Sequence, residues 1–166
     1  MPIIASEIEF RLSGGAANSD PALSFGGAKS SVAVTGSTLF DTVSGAESSA
    51  GHIDYRCVYV HNADPALTAQ SAKVWIQANT PSSDTTFDIA LAGEGLNGTA
   101  ETPANDTTAP SGESFSAAAN EGASLSLGNI PNGQHYAVWI RRTITAGAAA
   151  YTGDGITLRV KCDTAA

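Results

Sequence analysis

Basic residues are scarce in this chain. Eight Lys and Arg stand against sixteen Asp and Glu in 166 residues, a formal net charge of -8. Nucleic acid needs clustered positive charge against its phosphates, and an anionic membrane surface needs the same. The sequence offers a single basic pair, Arg141-Arg142, so no nucleic-acid and no membrane partner is expected. Long apolar runs are missing too, and nothing approaches the roughly 18 residues of a spanning helix. Residues 1–12 hold two early acids and no apolar stretch behind basic residues. No secretory signal is read there, and cytosolic synthesis is expected. Asn97-Gly-Thr99 and Asn105-Asp-Thr107 fit the glycosylation pattern, but without a secretory route they read as plain loop. Cysteine occurs only at Cys57 and Cys162. Two thiols so far apart exclude a sulfur-ligated zinc site. In a reducing cytosol they are expected to stay free and buried, acting as small apolar side chains.

Large apolar residues are also few. Leu, Ile, Val and Phe total 32, or 19% of the chain, whereas Ala, Gly, Ser and Thr supply 80 residues. So lean a content raises the question of disorder, but only 14% of the residues are charged and the large apolar ones are grouped. The expectation is a folded domain with a thin core, of the kind that gains stability from its neighbours.

Side-chain alternation is the dominant pattern that remains. In residues 7–12 (Glu-Ile-Glu-Phe-Arg-Leu) apolar and charged residues alternate until Ser13-Gly14-Gly15 ends the run, which predicts a half-buried strand. Further strands are predicted at 29–35, 53–61, 73–77, 86–91, 124–127, 135–144 and 155–162. In 53–61, Ile53, Tyr55, Cys57 and Tyr59 share one face, and Val58 and Val60 the other. Residues 116–123 are rich in Ala but carry Ser116 and Gly122, so they are predicted as a loop rather than a helix. About eight short strands with turn residues between them predict an all-β fold, an antiparallel β-sandwich of jelly-roll or immunoglobulin-like topology, as one domain over residues 1–166. Three stretches, 14–28, 36–51 and 97–114, have no strand pattern. Loops of this length in a compact domain are uncommon and tend to be functional.

Signatures of catalysis are absent. There is no Gly-x-Ser-x-Gly elbow, no phosphate-binding Walker loop, and no Gly-x-Gly-x-x-Gly opening a helix. Gly93-Glu94-Gly95 leads into no helix, so it offers no helix-terminus amides to a phosphate. His52 and Asp54 share a strand face two residues apart, which could begin a metal site; the expectation is a solvated pair and no metal. No catalytic, cofactor or metal residue is assigned, and the chain is expected not to be an enzyme.

Binding candidates come from aromatic and apolar residues in unusual places. Trp75 and Trp139 lie on the faces their strands do not use for aliphatics. Each is therefore covered by a loop of the same chain, buried by a protein partner, or open for a sugar to stack on. Of Arg141 and Arg142, adjacent on a strand and so on opposite faces, one must turn inward or to an edge and find a carboxylate. Leu23, Phe25, Leu39 and Phe40 are isolated large residues in small-residue loops. They either fold back onto the sheets or meet a partner. Leu23, Phe25, Leu39, Phe40, Trp75, Trp139 and Arg141 are the candidate protein-interface residues.

Several strings share a texture with one known group. They are residues 3–15 (Ile-Ile-Ala-Ser-Glu-Ile-Glu-Phe-Arg-Leu-Ser-Gly-Gly), Gly26-Gly27-Ala28, 55–62 (Tyr-Arg-Cys-Val-Tyr-Val-His-Asn), 73–76 (Lys-Val-Trp-Ile), 130–142 (Ile-Pro-Asn-Gly-Gln-His-Tyr-Ala-Val-Trp-Ile-Arg-Arg) and 154–160 (Asp-Gly-Ile-Thr-Leu-Arg-Val). Together they cover most of the chain, which resembles small virion proteins of tailed bacteriophages, of the capsid decoration or cement type. The resemblance implies a β-rich, non-enzymatic protein without cofactors. It implies a homotrimer on the outside of the assembled head, bound to the major capsid protein after synthesis in the cytoplasm of the infected bacterium. It assigns no functional residue. A tail, baseplate or fibre component, and a carbohydrate- or receptor-binding module, are the alternatives.

Overall fold

Seven strands carry nearly all the regular structure in the computed structural model, which describes residues 2–36 and 39–164. They are β1 (Ile8–Leu12), β2 (His52–Asn62), β3 (Ala69–Ala78), β4 (Thr85–Leu91), β5 (Leu125–Ile130), β6 (His135–Ile144) and β7 (Thr157–Thr164). Helix among the described residues is confined to α1 (Gly45–Ala50) and the 3-10 turns Ala5–Glu7, Pro21–Leu23 and Glu121–Ala123. The protein is all-β, with two antiparallel sheets of strand order β1-β2-β6-β4 and β5-β3-β7.

Parity explains which side chains meet. Val58 and Val60 of β2, Val138 and Ile140 of β6, and Phe87 and Ile89 of β4 form one face of the larger sheet. They join Val74 and Ile76 of β3, and Leu127 and Ile130 of β5, in a single apolar cluster. The opposite face of the larger sheet has its own cluster, built from Tyr55, Cys57, Tyr59, Ala90, Ala137 and Trp139. β2 and β6 are therefore central strands covered on both faces, which is why apolar residues occupy both of their parities. In β7 the exposed and half-buried residues alternate strictly, as expected of a strand covered on one face only.

Two predicted elements differ. Residues 29–35 form no strand; Ala33 makes one isolated bridge to Arg11, and Ser30, Val32 and Val34 exchange backbone hydrogen bonds with Leu12 and Phe10. The Ser30 hydroxyl accepts from Val32 N and donates to Asn18 O. Such local side-chain bonds compete with a regular ladder, so the segment lines β1 without extending the sheet. The 36–51 stretch holds α1, started by a capping box in which Ser44 Oγ accepts from Glu47 N and the Glu47 carboxylate accepts from Ser44 N. That box is written in the sequence as Ser-x-x-Glu, but six residues are too few to show a helical period. Ser37 and Thr38, also in this stretch, lie outside the described residues.

Candidate functional site

The outer face of the larger sheet is roofed by two loops, and the tyrosine at its centre ties them together. Tyr59 Oη donates to Gly27 O at 2.7 Å and accepts from Ala100 N at 2.9 Å. Burial pushes this phenol up to about 12, so it stays protonated and keeps both bonds. The half of β2 that β1 does not reach is completed by the same loops. Cys57 N donates to Ser24 O and Tyr55 N to Asp106 O, each at 2.7 Å.

The first loop, residues 13–30, is pinned throughout. Ser24 Oγ donates to Cys57 O at 2.8 Å and accepts from Ser13 N at 2.8 Å. Asn18 Nδ2 donates to Ser13 O and Asp20 O. Asp20 caps the turn Pro21–Leu23 by accepting from Ala22 N. Gly26, at φ 104°, passes so close to the second loop that a Cβ there would lie 1.8 Å from Glu101 O. Only glycine allows the two loops to cross at that point.

This roof accounts for Trp139, which is fully buried at 0% exposure with its Cη2 near Gly26. Trp75, on β3, is 6% exposed, and the Arg159 guanidinium lies 5.9 Å from its ring centroid. Both tryptophans are thus enclosed by their own chain. Arg141, on the Trp139 face, donates to the Asp88 carboxylate and stacks 4.8 Å from the Phe115 ring.

Leu39 and Phe40 fold back onto the core shared by the two sheets. Phe40 packs edge-on to Phe87 at 5.5 Å and lies against two guanidinium groups, Arg56 at 5.4 Å and Arg142 at 4.8 Å. These arginines belong to a charge network at one end of the sheet. Arg142 and Asp54 are cross-strand partners, and Arg142 Nε and Nη2 both donate to the Asp54 carboxylate. Arg56, whose side chain is 1% exposed, donates to Leu39 O, Tyr55 O, Asp106 and Asp41. The network fastens the loop after residue 38 to β2 and β6.

Asp54 is therefore not the solvated residue expected from the sequence. It is 1% exposed and neutralised by Arg142. His52 Nε2 lies 3.6 Å from Glu47 and 3.8 Å from Asp54. Among the described residues no group of three or more His, Cys, Asp or Glu is arranged to hold a metal ion. Arg56 was not singled out from the sequence, although it shares the parity of Val58 and Val60 and so had to point inward.

Phe25 is half-buried, whereas Leu23 is 54% exposed at the end of its capped turn. Of the four loop residues, then, Leu23 alone is held largely in water. The other exposed large apolar residues among those described are Ile4, Ile53, Leu96 and Tyr151. Tyr151 sits at a groove of about 760 Å³ that is also lined by Leu39, Phe40, Phe87, Ile144 and Leu158. The thiols are free: Cys57 is buried on the roofed face, and Cys162 half-buried against the shared core. Burial pushes the Cys57 thiol far up, so it offers no thiolate nucleophile.

Comparison with protein-family models, with curated proteins and with solved structures gave no match.

Proposed function

We propose that this chain is a non-enzymatic structural protein of a tailed-bacteriophage virion, a capsid decoration (cement) protein that binds the outside of the assembled head and reinforces it. In this reading the two sheets are the layers of a β-sandwich. The partners are the major capsid protein and further copies of the chain, a trimer being what the resemblance implies. The protein is made in the cytoplasm of the infected bacterium and ends in the virion.

The observation that carries the reading is the pinned loop presenting Leu23. A leucine held in solvent by a capped turn, on a loop bonded to β2 and crossed by a second loop, costs little further ordering when it is buried against a partner. A pre-organised contact is the economical kind. Several such modest contacts in one oligomer give firm attachment through avidity. Two buried groups fit a structural role: Asp54 and Arg142 neutralise each other, and burial keeps the Cys57 thiol protonated. The sugar-binding alternative depended on an open tryptophan ring, and Trp75 and Trp139 provide none.

The test is co-sedimentation. Purified protein is mixed with heads that lack it and, separately, with dissociated capsid subunits. The proposal expects saturable pelleting with heads and no complex with free subunits. Protein that stays in the supernatant with heads but pellets with tails refutes the head assignment in favour of a tail component.

A further inference from the structure

Four strand edges flank the two sheets, and the chain treats them differently. On the larger sheet, β1 is lined by the backbone of Ser30, Val32 and Val34, and β4 exchanges two hydrogen bonds with Ser116 through Ile89. On the smaller sheet, β5 carries Gly128 at φ 70°, which kinks its edge, and kinks of this kind discourage strand addition. β7 remains. No backbone group of its eight residues hydrogen-bonds to anything but β3 among the described residues, and Thr164 Oγ1 accepts from Ile3 N at its end. Its inward side chains Leu158, Val160 and Cys162 are only half-buried.

Charge on an edge strand usually blunts it, but the charges on β7 are self-complementary. Its outward side chains run Thr157, Arg159, Lys161, Asp163. Lys161 is held by Glu121 at 2.7 Å. Arg159 and Asp163 form no ion pair among the described residues, have opposite signs, and lie symmetrically about Lys161.

We propose that two copies of this chain pair through β7, antiparallel and centred on Lys161, joining their smaller sheets into one continuous sheet. Each Arg159 then faces the partner's Asp163, twice over by symmetry. Val160 faces the partner's Cys162, so the half-buried apolar face continues across the junction. Lys161 faces the partner's Lys161, each drawn to its own Glu121, a carboxylate that it shares with Lys73. A register centred on Val160 would set Arg159 against the partner's Lys161. One centred on Cys162 would leave Arg159 without an acidic partner. The interface is isologous and independent of any attachment to a capsid. Its symmetry is two-fold, in contrast to the three-fold arrangement that the phage resemblance implies.

Sedimentation of the full chain over micromolar to millimolar concentration tests this. The expected result is a monomer–dimer equilibrium. Arg159→Glu alone and Asp163→Arg alone each turn both attractive pairs into repulsive ones, and each should raise the dimer dissociation constant about 30-fold. Mixing the two variants restores opposite charges at both pairs, so the mixture should form a heterodimer at least as readily as the original chain pairs with itself. Rescue by mixing separates loss of the interface from loss of the fold. A monomer at every concentration, a trimer indifferent to the substitutions, or variants that fail to rescue each other would overturn the proposal.

Discussion

Replacing Asp54 with alanine removes one half of a buried ion pair. Asp54 accepts two hydrogen bonds from Arg142, whose side chain is 8% exposed. After the change, Arg142 keeps a bond to Asp41 O at 2.9 Å and a carboxylate 3.6 Å away on Asp41, which is itself 65% exposed. Breaking a buried pair on one side costs about 3–5 kcal/mol, because the remaining charge stays desolvated. In a chain of this length that corresponds to a fall in Tm of about 6–20 °C. Replacing both partners with apolar residues, Asp54→Leu with Arg142→Met, removes the stranded charge. That pair should lose only about 1 kcal/mol, mostly the contact of Arg142 with Phe40 and Asp41 O. Urea and thermal unfolding of the three proteins decides it. If Asp54→Ala is within 1 kcal/mol of the parent, or the double variant is as damaged as the single one, the network is not holding the loop as described.

The other predictions concern separate regions. His61 and His135 are cross-strand partners, and both pKa values are lowered, first by burial and then by Lys29. The unfolded chain therefore binds more protons below its ordinary value of about 6.5, so stability is full above that pH and falls as the pH drops toward the folded values. Tm should decline from pH 7.5 to 5.5, and His135→Phe should flatten the decline; an unchanged slope would refute the assignment. In native protein, Cys57 should resist thiol reagents until unfolding, while half-buried Cys162 reacts slowly; mass spectrometry after alkylation distinguishes the two. Phe40→Ala should cost about 3 kcal/mol of stability, whereas Leu23→Asp should leave the melting curve unchanged and lower occupancy on heads. A Leu23 variant that decorates heads normally removes that residue from the contact.

Much of the fold was legible because strands write their burial into parity. The predicted 135–144 strand coincides with β6, and the two faces of 53–61 separate as Val58 and Val60 against Tyr55, Cys57 and Tyr59. The roof over Trp139 was not legible. Its loops are held by serine and asparagine side chains bonding to backbone and by the close pass at Gly26, and neither leaves a period in the sequence. The site divides in the same way. Parity sent one arginine of the pair 141–142 inward or to an edge, and Arg142 is the one turned inward. Its loop partner Asp41, and the Asp106 that serves Arg56, come from segments whose placement depends on the finished fold. Phe40 illustrates the limit: a lone aromatic in a small-residue loop can fold back or face a partner, and only the positions of Arg56, Arg142 and Phe87 decide between them.

The central claim is that the protein reinforces an assembled head. The most direct measurement is the temperature at which DNA-filled heads lacking the protein release their genome, with and without saturating purified protein. Binding that favours the intact shell stabilises it by mass action. The account predicts release at a higher temperature in the decorated sample, with the rise tracking occupancy. Release at the same temperature, with the protein bound, would contradict it.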